Sequence, residues 1–128
     1  MDTMQRYIRH GFGAVRPYIY GNSDLPEFLR QVLGAEEIER ADDHDESAHV
    51  EMRIGDSVVV VETNVTHETV THGSVYVYVP DVDAAYQRAL RLGAKSLAEP
   101  ADKPYQDHNA GVKDSFSNTW WIGTHIDS

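Results

Sequence analysis

Residues 74–93 read Ser74-Val75-Tyr76-Val77-Tyr78-Val79-Pro80-Asp81-Val82-Asp83-Ala84-Ala85-Tyr86-Gln87-Arg88-Ala89-Leu90-Arg91-Leu92-Gly93. The first six alternate, with valines on one side and a serine and two tyrosines on the other, the period of a strand. Pro80-Asp81 breaks that period. Val82, Ala85, Tyr86, Ala89 and Leu90 then recur at helical spacing, one apolar stripe that Gly93 stops. Strand, turn and amphipathic helix thus follow one another within twenty residues.

The same order occurs earlier in the chain. Val15 to Tyr20 reads as a strand, and Asn22-Ser23-Asp24 opens a helix with Asp24 as N-cap and Glu27 at capping-box spacing. Leu25, Phe28, Leu29, Val32 and Leu33 form the matching stripe, and Gly34 ends it. Tyr18-Ile19-Tyr20 matches Tyr76-Val77-Tyr78 at an offset of 58 residues, and Gly34-Ala35 matches Gly93-Ala94 at 59. Three strand-like segments follow each helix: Glu37 to Arg40, His49 to Ile54 and Ser57 to Glu62, then Lys95 to Ala98, Ala110 to Lys113 and Thr119 to His125. Gly55-Asp56 marks a hairpin between the second and third. A two-fold repeat of β-α-β-β-β units is therefore expected rather than a solenoid, which needs three or more copies.

The expected fold is α+β: two such modules, at about residues 14–62 and 74–126, form curved mixed sheets around a cup, with helices on the outer face. Residues 1–13 read as an N-terminal arm and 63–73 as the linker. The length, 128 residues, fits one domain. The chain has no cysteine, which excludes disulfides and thiolate metal sites. Eleven basic against 21 acidic residues give a net charge of −10. That balance opposes nucleic acid or an anionic membrane as partner. The first 13 residues carry Arg6, Arg9 and His10 without an apolar run and do not read as a signal peptide, so a cytoplasmic location is expected. The run Asp42 to Glu46 reads as a solvated loop tip.

The faces of the opening strands carry the functional reading. Ile19 and Val15 in the first module, and the valines in the second, point to the helix stripes. Arg16, Tyr18 and Tyr20 lie on the other face, as do Ser74, Tyr76 and Tyr78. An aromatic wall with a few polar anchors has the composition of a ligand site; tyrosines chosen for β-propensity on a solvated face are the alternative. In the closing strand Trp121 and His125 share that face, and Trp120 and Ile122 point to the helices. Glu62 ends the corresponding strand of the first module.

The paired modules resemble the vicinal oxygen chelate superfamily, which holds glyoxalase I, bleomycin-resistance proteins, fosfomycin-resistance enzymes and extradiol dioxygenases. Tyr105-Gln106-Asp107, the run from Gly111 to Ile122, and Val79 to Tyr86 are similar to the PhnB-like branch. The resemblance implies metal ligands on the opening and closing strands, at Arg16 and Ser74 and near Val59 and Trp121, with Glu62 and His125 beyond them. Arginine has no acceptor and serine is a poor ligand for a divalent ion, so no metal or other cofactor is expected. Three functions stay open. One is metal-free sequestration of a small molecule, cationic or aromatic, as in bleomycin-resistance proteins. The second is a metal-dependent lyase, isomerase or dioxygenase. The third is a metal-independent enzyme using Arg16 as an anion clamp. The resemblance also implies a homodimer with pockets shared between subunits.

Overall fold

Each apolar stripe finds its sheet. The structure is a computed structural model that describes residues 7–43, 45–65 and 70–126. The first module runs β1 (Tyr18–Gly21), α1 (Leu25–Leu33), β2 (Glu36–Asp42), β3 (Ala48–Ile54) and β4 (Ser57–Thr63). The second repeats it as β5 (Ser74–Tyr78), α2 (Val82–Arg91), β6 (Lys95–Asp102), β7 (Asp107–Lys113) and β8 (Thr119–His125). The sheet orders are β1-β4-β3-β2 and β5-β8-β7-β6. In each, the opening strand runs parallel to the closing one and the other pairs are antiparallel.

The helix termini follow from the local sequence. Asp81 accepts the Ala84 amide at 3.1 Å and caps α2. Asp24 does not cap α1: its backbone is already helical, and Asn22 Oδ1 receives the Asp24 amide instead. Glu27 turns along the helix to Arg30 rather than back toward the start. Gly34 takes φ of +69°, the left-handed turn that lets its amide close on the Arg30 carbonyl. The first strand begins later than expected, because Arg16 is drawn to neighbouring carbonyls; Val15 is 82% exposed rather than packed on the helix.

One continuous core joins the modules on their helix sides. Ile19, Leu29, Val32, Val50 and Val61 meet Val82, Ala85, Val112, Trp120 and Ile122 in it. Arg88 of α2 donates to the Gln31 carbonyl near the end of α1 at 2.7 Å, where helix carbonyls lack partners. Asn118, 1% exposed, is the second rivet: its Nδ2 donates to the Tyr20 carbonyl while its Oδ1 accepts the Gly73 amide. Among the described residues no helix is long and apolar enough to cross a membrane.

The cup is corrected. The two mixed sheets are separate ladders flanked by two helices, and they neither close nor curl strongly around a common space. The physical reason lies in the faces. Apolar burial unites the modules through their helix sides, while each polar face is satisfied largely within its own module.

Candidate functional site

The polar face of the first sheet is charged. Glu51 of β3, its side chain only 5% exposed, pairs with Arg16 Nη1 at 3.0 Å and lies 3.7 Å from Arg9. Arg16 donates further to the carbonyls of Gly13 and Phe12. His49 sits between two carboxylates, Nδ1 2.7 Å from Glu62 and Nε2 3.1 Å from Glu51. Burial alone would lower its pKa, but the hydrogen bonds to Glu62 and Glu51 prevail and raise it above the usual imidazole value. Tyr18 meets the His49 ring edge-on at 6.2 Å. Residues 7–17 lie along this face: Arg53 stacks over Phe12, and Gly13 abuts Val58. Val58 and Val60 are buried although they point away from α1.

The polar face of the second sheet is built around one carboxylate. Asp107, at the start of β7, accepts the Tyr76 hydroxyl at 2.7 Å and the Tyr78 hydroxyl at 2.9 Å. Its other oxygen pairs with His125 Nδ1 at 3.2 Å. These bonds hold the carboxyl below the usual aspartate range, the Tyr76 hydroxyl contributing most. Burial first, and the hydrogen bond to Asp107 second, push Tyr76 up to about 12. Asn109 Nδ2 donates to Tyr105 at 2.8 Å and to Tyr76 at 3.2 Å, leaving its buried Oδ1 without a partner. Trp121 lies over Gly111 and Tyr76 over Gly123, so close that a Cβ at either glycine would collide with the ring above it.

The structure therefore divides the residues singled out from sequence. Arg16, Tyr18 and Glu62 stand on the first face; Tyr76, Tyr78, Trp121 and His125 gather on the second. Tyr20 is half-buried, and its carbonyl receives Asn118. Ser74 lies at the exposed start of β5. Arg16, read from sequence as an anion clamp, meets Glu51 of its own module. Asp107 and Asn109 escaped the reading of side-chain faces, although their alternation with Gly111 opposite His125, Gly123 and Trp121 carries the signal. A groove of about 510 Å³ runs beside the second cluster, between the β3–β4 turn and β5, walled by Val15, Pro17, Ile54 and Val58 on one side and Val75 to Tyr78 on the other.

The sequence model of the glyoxalase/bleomycin resistance protein/dioxygenase superfamily matches residues 25–122, most of both modules. The chain belongs to that superfamily. Comparison with curated proteins gives no significant match. Among solved structures it is similar to TioX from Micromonospora sp. ML1, at 23% identity and TM-score 0.67 over 88% of this chain and 100% of that one. FosX from Listeria monocytogenes, complexed with Mn(II) and sulfate, gives 17% identity and TM-score 0.63, covering 89% of this chain and 93% of that one. A glyoxalase/bleomycin resistance protein/dioxygenase family enzyme from Burkholderia phytofirmans PsJN gives 19% and 0.62, covering 85% and 95%. At such identities the likeness is one of fold.

The superfamily's metal does not fit the side chains at the positions the resemblance implies. Arg16 is a bound cation, Ser74 is exposed, Val59 is buried on the helix side, and Trp121 offers carbon. Among the described residues no group of three His, Asp or Glu is arranged to hold a metal ion. His49, Glu51 and Glu62 do come together, but each imidazole nitrogen already faces a carboxylate oxygen.

Proposed function

We propose that this superfamily member binds a small organic molecule on the polar face of its second sheet, without a resident metal. The observation that supports this most is the buried pair Asp107 and Asn109. A carboxylate is held ionised by phenols, and beside it a buried amide oxygen has no partner. Buried polar groups are nearly always satisfied, so an unmet one on an aromatic face is a place for a ligand atom. The adjoining groove has the volume of an ordinary small-molecule site. Tyr76, Tyr78, Trp121 and His125 would contact the ligand; Arg16, Tyr18 and Glu62 stand on the other sheet's face, outside the site.

The second reading is a metal-dependent enzyme of the same superfamily, and the likeness to Mn(II)-bound FosX speaks for it. The donor set described above speaks against it. Elemental analysis of the purified protein, with a thermal-shift screen of divalent ions and small aromatic compounds, separates the two. Stabilisation by organic ligands that is lost in Asp107→Asn, with no stoichiometric metal, is the expected result. A stoichiometric transition metal would overturn it. The PhnB-like assignment rests on the stretches quoted above. A homodimer completes the proposal, since β2 and β6 leave uncovered sheet edges; light scattering should give twice the 14.4 kDa chain mass.

A further inference from the structure

Building on the binding reading above, we infer that the ligand class is a protonated primary or secondary amine on an apolar body. Its N–H groups would meet Asn109 Oδ1 and Asp107, and its body would lie in the adjoining groove.

Three observations converge on that chemistry. The first is a charge with no permanent cation beside it. The side chain of Asp107 is 5% exposed, yet its partners are two neutral hydroxyls and the imidazole of His125. No lysine or arginine pairs with it among the described residues, whereas Glu51, equally buried, meets two arginines. A buried anion is costly unless a cation joins it.

The second observation is donor demand. Asn109 is 2% exposed, and its Nδ2 already donates to the Tyr76 and Tyr105 hydroxyls. Its Oδ1 therefore asks for a hydrogen from outside. Reversing the amide would only move the deficit, since Asp107 already takes the Tyr76 proton and Nδ2 would lose its acceptors. A carboxylate or phosphate ligand would set its oxygens against two acceptors, Asp107 and Asn109 Oδ1. A quaternary ammonium would answer the charge but leave Asn109 unmet.

The third is shape. Tyr76 and Tyr78 stand edge to face at 5.2 Å, and the exposed rings of Tyr78 and Tyr105 offer faces that attract cations. Beside them the groove presents Val15, Pro17, Ile54, Val58, Val75 and Val77, walls for carbon, with Asp56 and Ser57 of the β3–β4 turn as the polar part of its lining.

The test titrates the full chain at neutral pH with three probes sharing one body: 2-phenylethylamine, its N,N,N-trimethyl derivative and 2-phenylethanol. Affinity is read by NMR from the Trp121 indole N–H. The indole N–H of Trp120, buried on Asp114, is the internal control. The amine should bind about tenfold or more tighter than either analogue, the size of one charge-assisted hydrogen bond. Asp107→Asn should erase its advantage over the alcohol, and Asn109→Leu its advantage over the trimethyl compound. Equal binding of amine and trimethyl compound overturns the N–H requirement and with it the inference. Equal binding of alcohol and amine overturns the cation while leaving the binding face standing. Failure of all three probes to move Trp121 overturns the binding reading as well.

Discussion

The two modules share one ladder geometry and spend it differently. Ile19 pairs with Val61, which pairs with Val50; Val77 pairs with Ile122, which pairs with Ala110. Working outward from these core positions, Tyr18 is equivalent to Tyr76, His49 to Asn109, Glu51 to Gly111 and Glu62 to Gly123. The first face fills those positions with ionisable groups and neutralises them with cations from residues 7–17. The second fills them with an amide and two glycines, and over the glycines lie Trp121 and Tyr76. A repeated backbone thus supports one face closed by internal ion pairing and one open face built on hydrogen bonds. The difference is decided by side-chain volume at two positions.

The sharpest way to break this comparison is to remove the centre of the charged face. Glu51→Ala would leave Arg16 and Arg9 without their shared carboxylate and His49 with one partner instead of two. Removing one member of a buried pair costs about 3 kcal/mol or more, because the other charge stays desolvated. For a chain of this size the melting temperature should fall by roughly 10 °C. The cycle with Arg16→Ala checks the cause. If both single variants and the double variant lose similar stability, the pair acts as a unit. Simple additivity would mean that Arg16 holds residues 7–17 through backbone carbonyls alone.

A smaller effect is expected from giving the second face the side-chain volume of the first. Gly111→Ala places a methyl group into the ring of Trp121, and Gly123→Ala places one into the Tyr76 hydroxyl. Overpacking of this kind costs about 1–3 kcal/mol. Beyond the stability loss, each variant should report differently. Gly123→Ala should pull Tyr76 from Asp107 and lower its hydroxyl pKa from about 12, read by ultraviolet titration. Gly111→Ala should shift Trp121 emission and leave the tyrosine titration alone. Identical titrations for both variants would mean that the two glycines do not hold separate parts of the site.

What the sequence made legible follows the length scale of the interactions. Helix stripes, the Gly34 stop and the inward turn of Trp120 and Ile122 depend on period and turn chemistry, which lie within a few residues. The position of Arg16 does not. Its partner Glu51 is 35 residues away, and the pull of that carboxylate and nearby carbonyls displaces Val15 from the strand start. Asp107 is similar, since its importance comes from tyrosines 29 and 31 residues earlier on β5, which lies across β8 from it in the sheet. The cup was the largest miss. Two polar faces with matching tyrosines suggest a shared enclosure, but whether faces meet depends on which sides the core joins. Here the core joins the helix sides.

The smallest expected effect is a pH slope confined to the first face. His49 is held between Glu62 and Glu51, and its pKa lies above the usual value of 6.5. A group with a raised folded-state pKa binds its proton more tightly in the folded protein. It therefore adds stability that is fully present below about pH 6.5 and is lost as pH rises through the folded-state pKa. Its equivalent, Asn109, does not titrate, so the second face adds no such slope at that position. His108, bridging Asp83 and Asp102, has a raised pKa as well and slopes the same way. The measurement must be a difference: wild type minus His49→Gln, by denaturant unfolding from pH 5.5 to 8.5. His10, which approaches Glu51 and Glu39, is common to both proteins. With the His49 side chain about one-third exposed, the pH-dependent part of the difference should be ~1 kcal/mol or less. It should favour the wild type at the acid end and fade toward alkaline pH. A difference that stays flat across the range would mean that His49 acts in the face as a neutral spacer, as Asn109 does in its own.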